Sequence, residues 1–338
     1  MVAAYPGLSD FARKLCRVSV LAEDPDTFLS DAQQYHRELL AHCYRMTGSL
    51  HDAEDLVQET YLRAWKSYAR FEGRSSVRTW LHRIATNTCL TALEGKQRRP
   101  LPTGLGAPSS DPVAELVARA EVPWLEPLPD DSDPSDIVGS RESVRLAFIA
   151  ALQHLSPRQR AVLVLRDVLQ WKAAEVAEAI GTSVPAVNSL LQRARAQLAA
   201  VGPSEESTLP APDSPEAQEL LTRYIAAFEE YDIDKLVTMF TEEAIWEMPP
   251  FVGWYQGGPA IGALIHHNCP AEKPGDMRLI PLTANGQSAA AMYMWDNDSG
   301  KHVPFQLHVL DIVDGAVAHV VAFLDTSDWA KFGLPESL

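Results

Sequence analysis

Proline divides this chain before any other feature does. Eight prolines (Pro100, Pro102, Pro108, Pro112, Pro123, Pro127, Pro129 and Pro134) fall within positions 100–134, beside the acidic run Asp130-Asp131-Ser-Asp133. A backbone missing so many N–H donors, with so many φ angles fixed, cannot be a helix interior or a central strand. Residues 100–134 therefore read as a linker, with room for at most a short helix over 113–121. A second Pro-, Ser- and acid-rich break runs from Gly202-Pro203 to Pro215. Three ordered stretches remain, about 28–98, 141–200 and 215–335, with no internal repeat.

The 338 residues carry a formal net charge of −16, which taken whole argues against nucleic acid. The acid is unevenly placed. Residues 101–140 are net −7 and 201–338 net −15, whereas 26–100 are net +2 and 141–200 net +4. Within 74–99, six basic residues face one acidic. No apolar run nears the roughly 20 residues of a membrane span. Arg13, Lys14 and Arg17 precede only a short apolar run before Glu23 and Asp24, a poor signal peptide. Cys16, Cys43, Cys89 and Cys269 are far apart in sequence, so neither a zinc site nor a disulfide framework is expected. A reducing cytoplasm is the default.

The first stretch is helical by period. Leu39, Leu40, Cys43, Tyr44 and Met46 form one stripe, Gly48 breaks it, and Asp52, Glu54 and Asp55 open the next helix. Leu56, Val57, Thr60, Tyr61, Ala64 and Trp65 line that helix. After a loop at 71–76, a third helix over 77–93 turns Trp80, Leu81, Ile84, Ala85, Thr88 and Cys89 to one side. The loop and third helix carry Arg74, Ser75, Arg78, Arg83, Lys96, Arg98 and Arg99, interleaved with Phe71, Trp80 and Asn87. Basic groups bind phosphates, while an aromatic beside an adaptable loop can hold an unstacked base. Trp80 is expected to be at least half core.

The second stretch has helix-turn-helix spacing. Val176 and Ile180 face inward, Gly181 makes the turn, Thr182 or Ser183 caps the next helix, and Pro185 sits in its first turn. Val187, Leu190, Leu191, Ala194 and Leu198 form a buried stripe. Pro185, Ala186, Asn188, Ser189, Gln192, Arg193 and Arg195 are left outward, with Ser183 at the helix start, a set suited to base edges and phosphates. The third stretch opens with helices over 217–231 and 233–240. It then alternates like strands over 289–295, 303–313 and 316–325, with Asp314-Gly315 as a hairpin turn.

Asp52-Ala-Glu-Asp-Leu-Val-Gln-Glu-Thr-Tyr-Leu-Arg-Ala-Trp65 resembles the core-binding segment of sigma-70 family factors. Phe71-Glu-Gly-Arg-Ser-Ser-Val-Arg-Thr-Trp-Leu-His-Arg-Ile-Ala-Thr-Asn87 resembles their promoter-melting segment, and Leu155-Ser-Pro-Arg-Gln-Arg-Ala-Val-Leu163 with the helix-turn-helix resembles their fourth region. Two such regions without a third between them point to the extracytoplasmic-function group. The resemblance implies that Asp55, Leu56, Val57 and Gln58, with Asp52 and Glu59 adding charge, dock on the clamp helices of the largest subunit of core RNA polymerase. It implies that Phe71, Arg74, Ser75, Arg78, Trp80, Arg83, Asn87, Arg98 and Arg99 serve the minus-ten element of promoter DNA. The helix over 184–198 would enter the major groove at minus thirty-five, while the fourth-region helices also touch the polymerase flap. The Lys and Arg usual in the family at the positions of Asn188 and Leu190 are absent here, so fewer phosphate contacts are expected.

The last stretch resembles SnoaL-like domains in its opening helices, Ile245-Trp-Glu-Met-Pro-Pro250, Trp254-Tyr-Gln-Gly257 and final strands. Trp124-Leu-Glu-Pro127 resembles, with a different residue order, a linker signature of sigma factors fused to such a domain. A peptide of that kind suits an apolar groove on its own domains. The expected fold is thus two all-α sigma domains, the second with a helix-turn-helix, followed by an α+β SnoaL-like cone with a curved antiparallel sheet. The expected division is an extension over 1–27, region two over 28–98, a linker over 99–140, region four over 141–200, a linker over 201–214 and the SnoaL-like domain over 215–338. Tyr224, Trp246, His266, Tyr293 and His308 are the candidates for a pocket, and His266, His267, His308, Asp311 and Asp325 for a general base. No acid and base declare themselves as a pair. The reading is a cytoplasmic sigma factor without catalytic residues, metal or cofactor, modulated in cis. A small-molecule ligand, or a retained isomerase, cyclase or hydrolase activity of the last domain, stays open as the alternative.

Overall fold

The computed structural model describes residues 32–68, 70, 71, 73, 75–130, 143–201 and 210–338. The expected extension 1–27, Arg74 and part of each linker lie outside the described residues. Two compact units emerge, one formed up to Lys96 with Pro157–Leu191, the other by Gln97–Ser156 with Gln192–Leu338.

In the first unit, helix α1 (His36–Thr47) stops at Gly48, whose left-handed φ of 71° lets its N–H reach the Tyr44 carbonyl. Helix α2 (Leu50–Tyr68) and helix α3 (Val77–Ala92) follow, and α3 is capped by the Ser76 hydroxyl accepting from the Thr79 N–H. Leu39, Cys43, Met46, Val57, Ala64, Leu81, Ala85 and Cys89 are fully buried between them. Each large apolar side chain so buried contributes about 1.5–3 kcal/mol. Cys43 and Cys89, distant in sequence, are both free thiols of this core.

Helix α5 (Pro157–Leu163) continues into a π-turn (Val164–Val168), then come α6 (Ala173–Ala179) and α7 (Val184–Val201). The buried Arg160 guanidinium donates to the Met46 carbonyl, one of those that the end of α1 leaves without a helical partner. Gly181 takes a φ of 62° at the turn between α6 and α7.

The second unit is built on a six-stranded sheet of order β2-β1-β6-β5-β4-β3. Its strands are β1 (Phe240–Glu247), β2 (Trp254–Gln256), β3 (Met277–Ala284), β4 (Gln287–Asp296), β5 (Lys301–Val313) and β6 (Ala316–Phe323). Neighbours run antiparallel except β1 and β6, which run parallel, so the sheet is mixed. Helices α8 (Pro215–Glu229), α9 (Ile233–Val237) and α10 (Gly258–Asn268) share its core, which includes Tyr224, Phe228, Leu236, Trp246, Ile261 and Leu264. A Cβ on Gly262 would stand 2.7 Å from Val237 Cγ2, so only glycine lets α10 lie this close to α9. The Asp314-Gly315 hairpin forms as expected, with φ of 50° and 72°. Asn285-Gly286 makes a second, with φ of 56° and 68°.

The linker belongs to this second unit. No helix forms over 113–121 among the described residues. Instead this stretch lies along the chain that leads into the edge strand β2. The Ser110 N–H donates to Trp254 O (2.8 Å), Val252 N–H to Val117 O (3.0 Å) and Arg119 N–H to Pro250 O (2.9 Å). A helix of so few residues is marginal in water, and edge pairing satisfies the same backbone groups while turning Leu116 onto the core. In Trp124-Leu-Glu-Pro127 it is Leu125, at 1% exposure, that is buried; Trp124 is half-buried, its Nε1–H donating to Arg119 O. Helix α4 (Leu146–Leu152) is also part of this unit, the Leu146 N–H donating to Gln287 Oε1 at 2.9 Å.

Candidate functional sites: a nucleic-acid interface and a cavity

On α2, Asp55 and Gln58 are exposed, while Leu56 and Val57 point into the core beneath them. Asp52 sits in the first turn, where the helix dipole favours a carboxylate, and pairs with Lys96 at 3.2 Å. Glu59 pairs with Arg63 at 2.7 Å. The exposed surface here is therefore acidic and polar, with Leu56 and Val57 buried beneath it.

Beyond α2, three aromatic rings cluster. Phe71 packs on Trp80 with ring centroids 4.8 Å apart, and Tyr68 lies 6.2 Å from Trp80. All three are half-buried, which places Trp80 half in the core, and Ser75 is exposed beside them. Along α3, Arg78 pairs with Glu38, and Arg83 pairs with Glu178 of α6 at 2.9 Å. Asn87 donates both to Arg83 O and to Ala179 O at the end of α6. The outer face of α3 is thus covered by the first helix of the helix-turn-helix. Arg98 and Arg99 lie in the second unit instead, tied to Gly104 O and His154 and to Trp124 O and Glu126.

Helix α7 presents Ser183, Pro185, Asn188, Ser189, Gln192, Arg193 and Arg195 outward, with Ala186 half-buried and Val187, Leu191 and Ala194 buried. The apolar period implied this division for Val187, Leu191 and Ala194, whereas Leu190 and Leu198, expected in the buried stripe, are only half-buried; two cations and three polar groups remain on the outer face.

In the second unit, a cavity of about 260 Å³ lies among α8, α10, β1, β5 and the linker. Of the five pocket candidates, only Trp246 is on its wall. His308 is buried behind it, 5.2 Å from the Trp246 ring, with Nδ1 on the Tyr224 hydroxyl at 2.9 Å. Burial pushes His308 down to about 3, so it is neutral, and pushes the Tyr224 hydroxyl up. Tyr293 packs against Trp329 and donates to Pro335 O, while His266 is exposed on α10.

A charged cluster lies elsewhere on the sheet, and of its members the sequence singles out only Asp311. Glu247, fully buried, accepts from His319 Nε2 (2.7 Å) and from the Thr103 N–H of the linker (2.7 Å). His319 Nδ1 faces Asp311 at 3.8 Å, and Asp311 also meets Arg145 just before α4. Burial alone would lower His319, but the two carboxylates outweigh it and push it up to about 10. Asn285 closes the same side. Its Oδ1 accepts from the Leu128 N–H at 2.8 Å, and its Nδ2 donates to Val144 O at 2.7 Å. The Asn-Gly dipeptide at 285–286 is a hairpin signal that marks the position; nothing in the sequence marks the side chain's second task.

Residues 32–99 match the family model described as Sigma-70 region 2, residues 145–198 that of Sigma-70, region 4, and residues 221–320 that of a SnoaL-like domain. The chain belongs to the extracytoplasmic-function (ECF) sigma factors of the sigma-70 family, which bind core RNA polymerase and direct promoter-specific initiation. Among its relatives, the ECF RNA polymerase sigma factor SigG of Mycobacterium tuberculosis is 69% identical over 351 residues, covering 100% of this chain and 94% of the relative. SigJ of the same organism is 31% identical over 240 residues, covering 69% of this chain and 70% of that one. The crystal structure of SigJ shares the fold, with a TM-score of 0.60 at 23% identity over 91% of this chain and 99% of that one. Among the described residues no helix is long and apolar enough to cross a membrane, and no cluster of metal-ligating side chains occurs.

Proposed function

We propose that this sigma factor docks the acidic face of α2 around the exposed Asp55 and Gln58 on the clamp helices of polymerase, opens the minus-ten element with the 71–76 loop and α3, and reads minus thirty-five with α7. The SnoaL-like part restrains it in cis. One observation carries the restraint: the linker and α4 are held by side chains of the C-terminal sheet. Asn285 takes a linker residue on one side and Val144 on the other, Arg145 meets Asp311, and Gln287 takes the first N–H of α4. A linker so held is not free to follow a polymerase surface.

Binding, rather than turnover, is the role that the cavity chemistry supports. Its wall includes no carboxylate and no imidazole, and its one ionisable group, the Cys269 thiol, is pushed up by burial. His308, buried behind Trp246, is neutral and engaged by Tyr224.

Run-off transcription with core polymerase tests both assignments on the full chain. Asp55→Ala should weaken core binding several-fold with the fold intact, and unchanged affinity would refute the docking surface. Asn285→Ala should raise promoter-dependent output, and unchanged output would refute the restraint.

A further inference from the structure

We propose that a second cavity, on the outer face of the C-terminal sheet, binds an organic carboxylate of single negative charge, held by Arg98 and His154 at its charged end and by Leu101 and α4 along its apolar body. The site is separate from the cavity beside Trp246 and does not rest on the proposed restraint.

Strand alternation sets the two cavities apart. Trp246, Val320 and Ala322 join the core shared with α8 and α10, so Glu247 and His319, their neighbours along β1 and β6, point to the opposite face. There a cavity of about 520 Å³ opens between the start of the linker, α4 and the sheet, a volume within the range of small-ligand sites.

Charge balance sets the ligand class. On the wall, Glu247 spends one oxygen on His319 Nε2 and the other on the Thr103 N–H, both at 2.7 Å. Beside them, Asp311 lies 3.8 Å from His319 Nδ1 and 3.4 Å from Arg145. Two cations thus face two carboxylates, and the cluster is neutral by itself. Arg98, also on the wall, is left over. Its guanidinium donates to two neutral acceptors, Gly104 O at 2.8 Å and His154 Nδ1 at 3.1 Å, and pairs with no carboxylate among the described residues. Burial and the Arg98 charge lower His154, so its ring is neutral. Since Nδ1 accepts from Arg98, the ring proton is on Nε2, a second donor of the same wall.

One unmatched cation suits one negative charge. A second charge on the ligand would stand against Glu247 and Asp311 without a partner. A guanidinium fork fits a carboxylate with two parallel bonds, and Arg98 is exposed, so the anion reaches it without the fold opening. Pro100, Leu101 and the α4 alanines Ala147, Ala150 and Ala151 offer an apolar bed for the rest of the ligand.

The test uses the full chain at pH 8 with 1-naphthoate as probe, and with uncharged 1-naphthamide and dianionic 1-naphthyl phosphate as controls. Each is titrated against the chain with its alanine methyls isotope-labelled, and the ring-current shifts of Ala147 and Ala150 read this cavity rather than the other. 1-Naphthoate should shift both methyls to saturation, with each control weaker by about tenfold or more. Arg98→Gln should weaken 1-naphthoate about tenfold with the melting temperature unchanged. Ala150→Leu, which fills the cavity, should abolish the shift at Ala147. No shift of either methyl in the parent chain, or a shift at Ala147 that survives Ala150→Leu, overturns the site. Parental affinity in Arg98→Gln, or 1-naphthamide binding as tightly as 1-naphthoate, overturns the role of the charge. 1-Naphthyl phosphate binding as tightly as 1-naphthoate overturns the restriction to a single charge. None of these readouts involves transcription, so the outcomes are separate from a failure of the Asn285→Ala experiment.

Discussion

Arg83 of α3 and Glu178 of α6 lie 2.9 Å apart, with side chains 48% and 74% exposed. An arginine of the proposed minus-ten surface is thereby paired within its own chain by an interaction that solvent already reaches. Exposed pairs of this kind contribute about 0–1 kcal/mol, so DNA phosphate can compete for the guanidinium at little cost. The Asn87 bonds at the same place add a second, equally local hold.

Removing the acid should free the arginine. Glu178→Ala is expected to raise affinity for a single-stranded minus-ten oligonucleotide a few-fold while changing stability by less than about 1 kcal/mol. Fluorescence anisotropy at low salt reads the first and a urea titration the second. Affinity equal to the parent chain would mean that the pair does not screen α3.

The face of α7 predicts a salt effect. Arg193→Ala and Arg195→Ala should each lower the slope of log affinity against log salt by about 0.9 for every phosphate that the guanidinium neutralises. Duplex minus-thirty-five DNA titrated at several salt concentrations gives the slope. An unchanged slope in both variants would place the helix away from the backbone.

Buried imidazoles make the fold acid-sensitive. Burial lowers His42, His82 and His308, the last to about 3. Their folded forms stay neutral while the unfolded chain takes up protons below about 6.5. Stability is thus full above that value and falls as the pH drops, by about 1.4 kcal/mol per pH unit for each such group. Urea midpoints at pH 7.5 and 5.5 should differ accordingly, and equal midpoints would mean that these rings accept protons inside the fold.

His319 works in the opposite sense. Held up at about 10 between Glu247 and Asp311, it contributes fully below its unfolded value near 6.5 and loses that contribution as pH rises through about 10. His319→Gln leaves the fully buried Glu247 without its cation, which should cost about 3–5 kcal/mol. Calorimetric melting at pH 7 and pH 10.5 checks both statements, since the variant should lack the alkaline loss of the parent chain.

What the sequence discloses follows from how each element gains its stability. Helices α2, α3 and α7 advertise themselves because an amphipathic period of 3.6 is imposed by burial on one side only. Leu56, Val57, Leu81, Val187 and Leu191 are all buried where the period puts them. Strand β4 shows in its apolar run, whereas β1, β2, β3 and α10 do not declare themselves. They carry short or irregular patterns: β3 contains Pro281, and α10 holds three glycines or prolines in its first five residues. The linker forms no helix over 113–121, where the sequence leaves room for at most a short one, because its conformation is set by an edge elsewhere in the chain. Of the sites, the exposed faces of α2 and α7 are legible, since a polar residue on a known face needs no partner to be recognised. The covering of α3, the Glu247–His319 pair and the Leu116 contact depend on packing between segments far apart in sequence, which no local pattern records.

The hydrogen bond from Thr103 to Glu247 has a consequence for the order in which this protein comes into being. On the ribosome Thr103 emerges well before Glu247 and His319, the two residues that complete its site. At roughly 5–20 residues per second, about ten to forty seconds separate Thr103 from His319. From the completion of region four near residue 198 until His319 emerges, both sigma regions exist and the sheet that will hold their linker is incomplete. Under the proposed restraint, newly made chains pass through an unrestrained age, and how much polymerase they capture then would depend on the speed of translation.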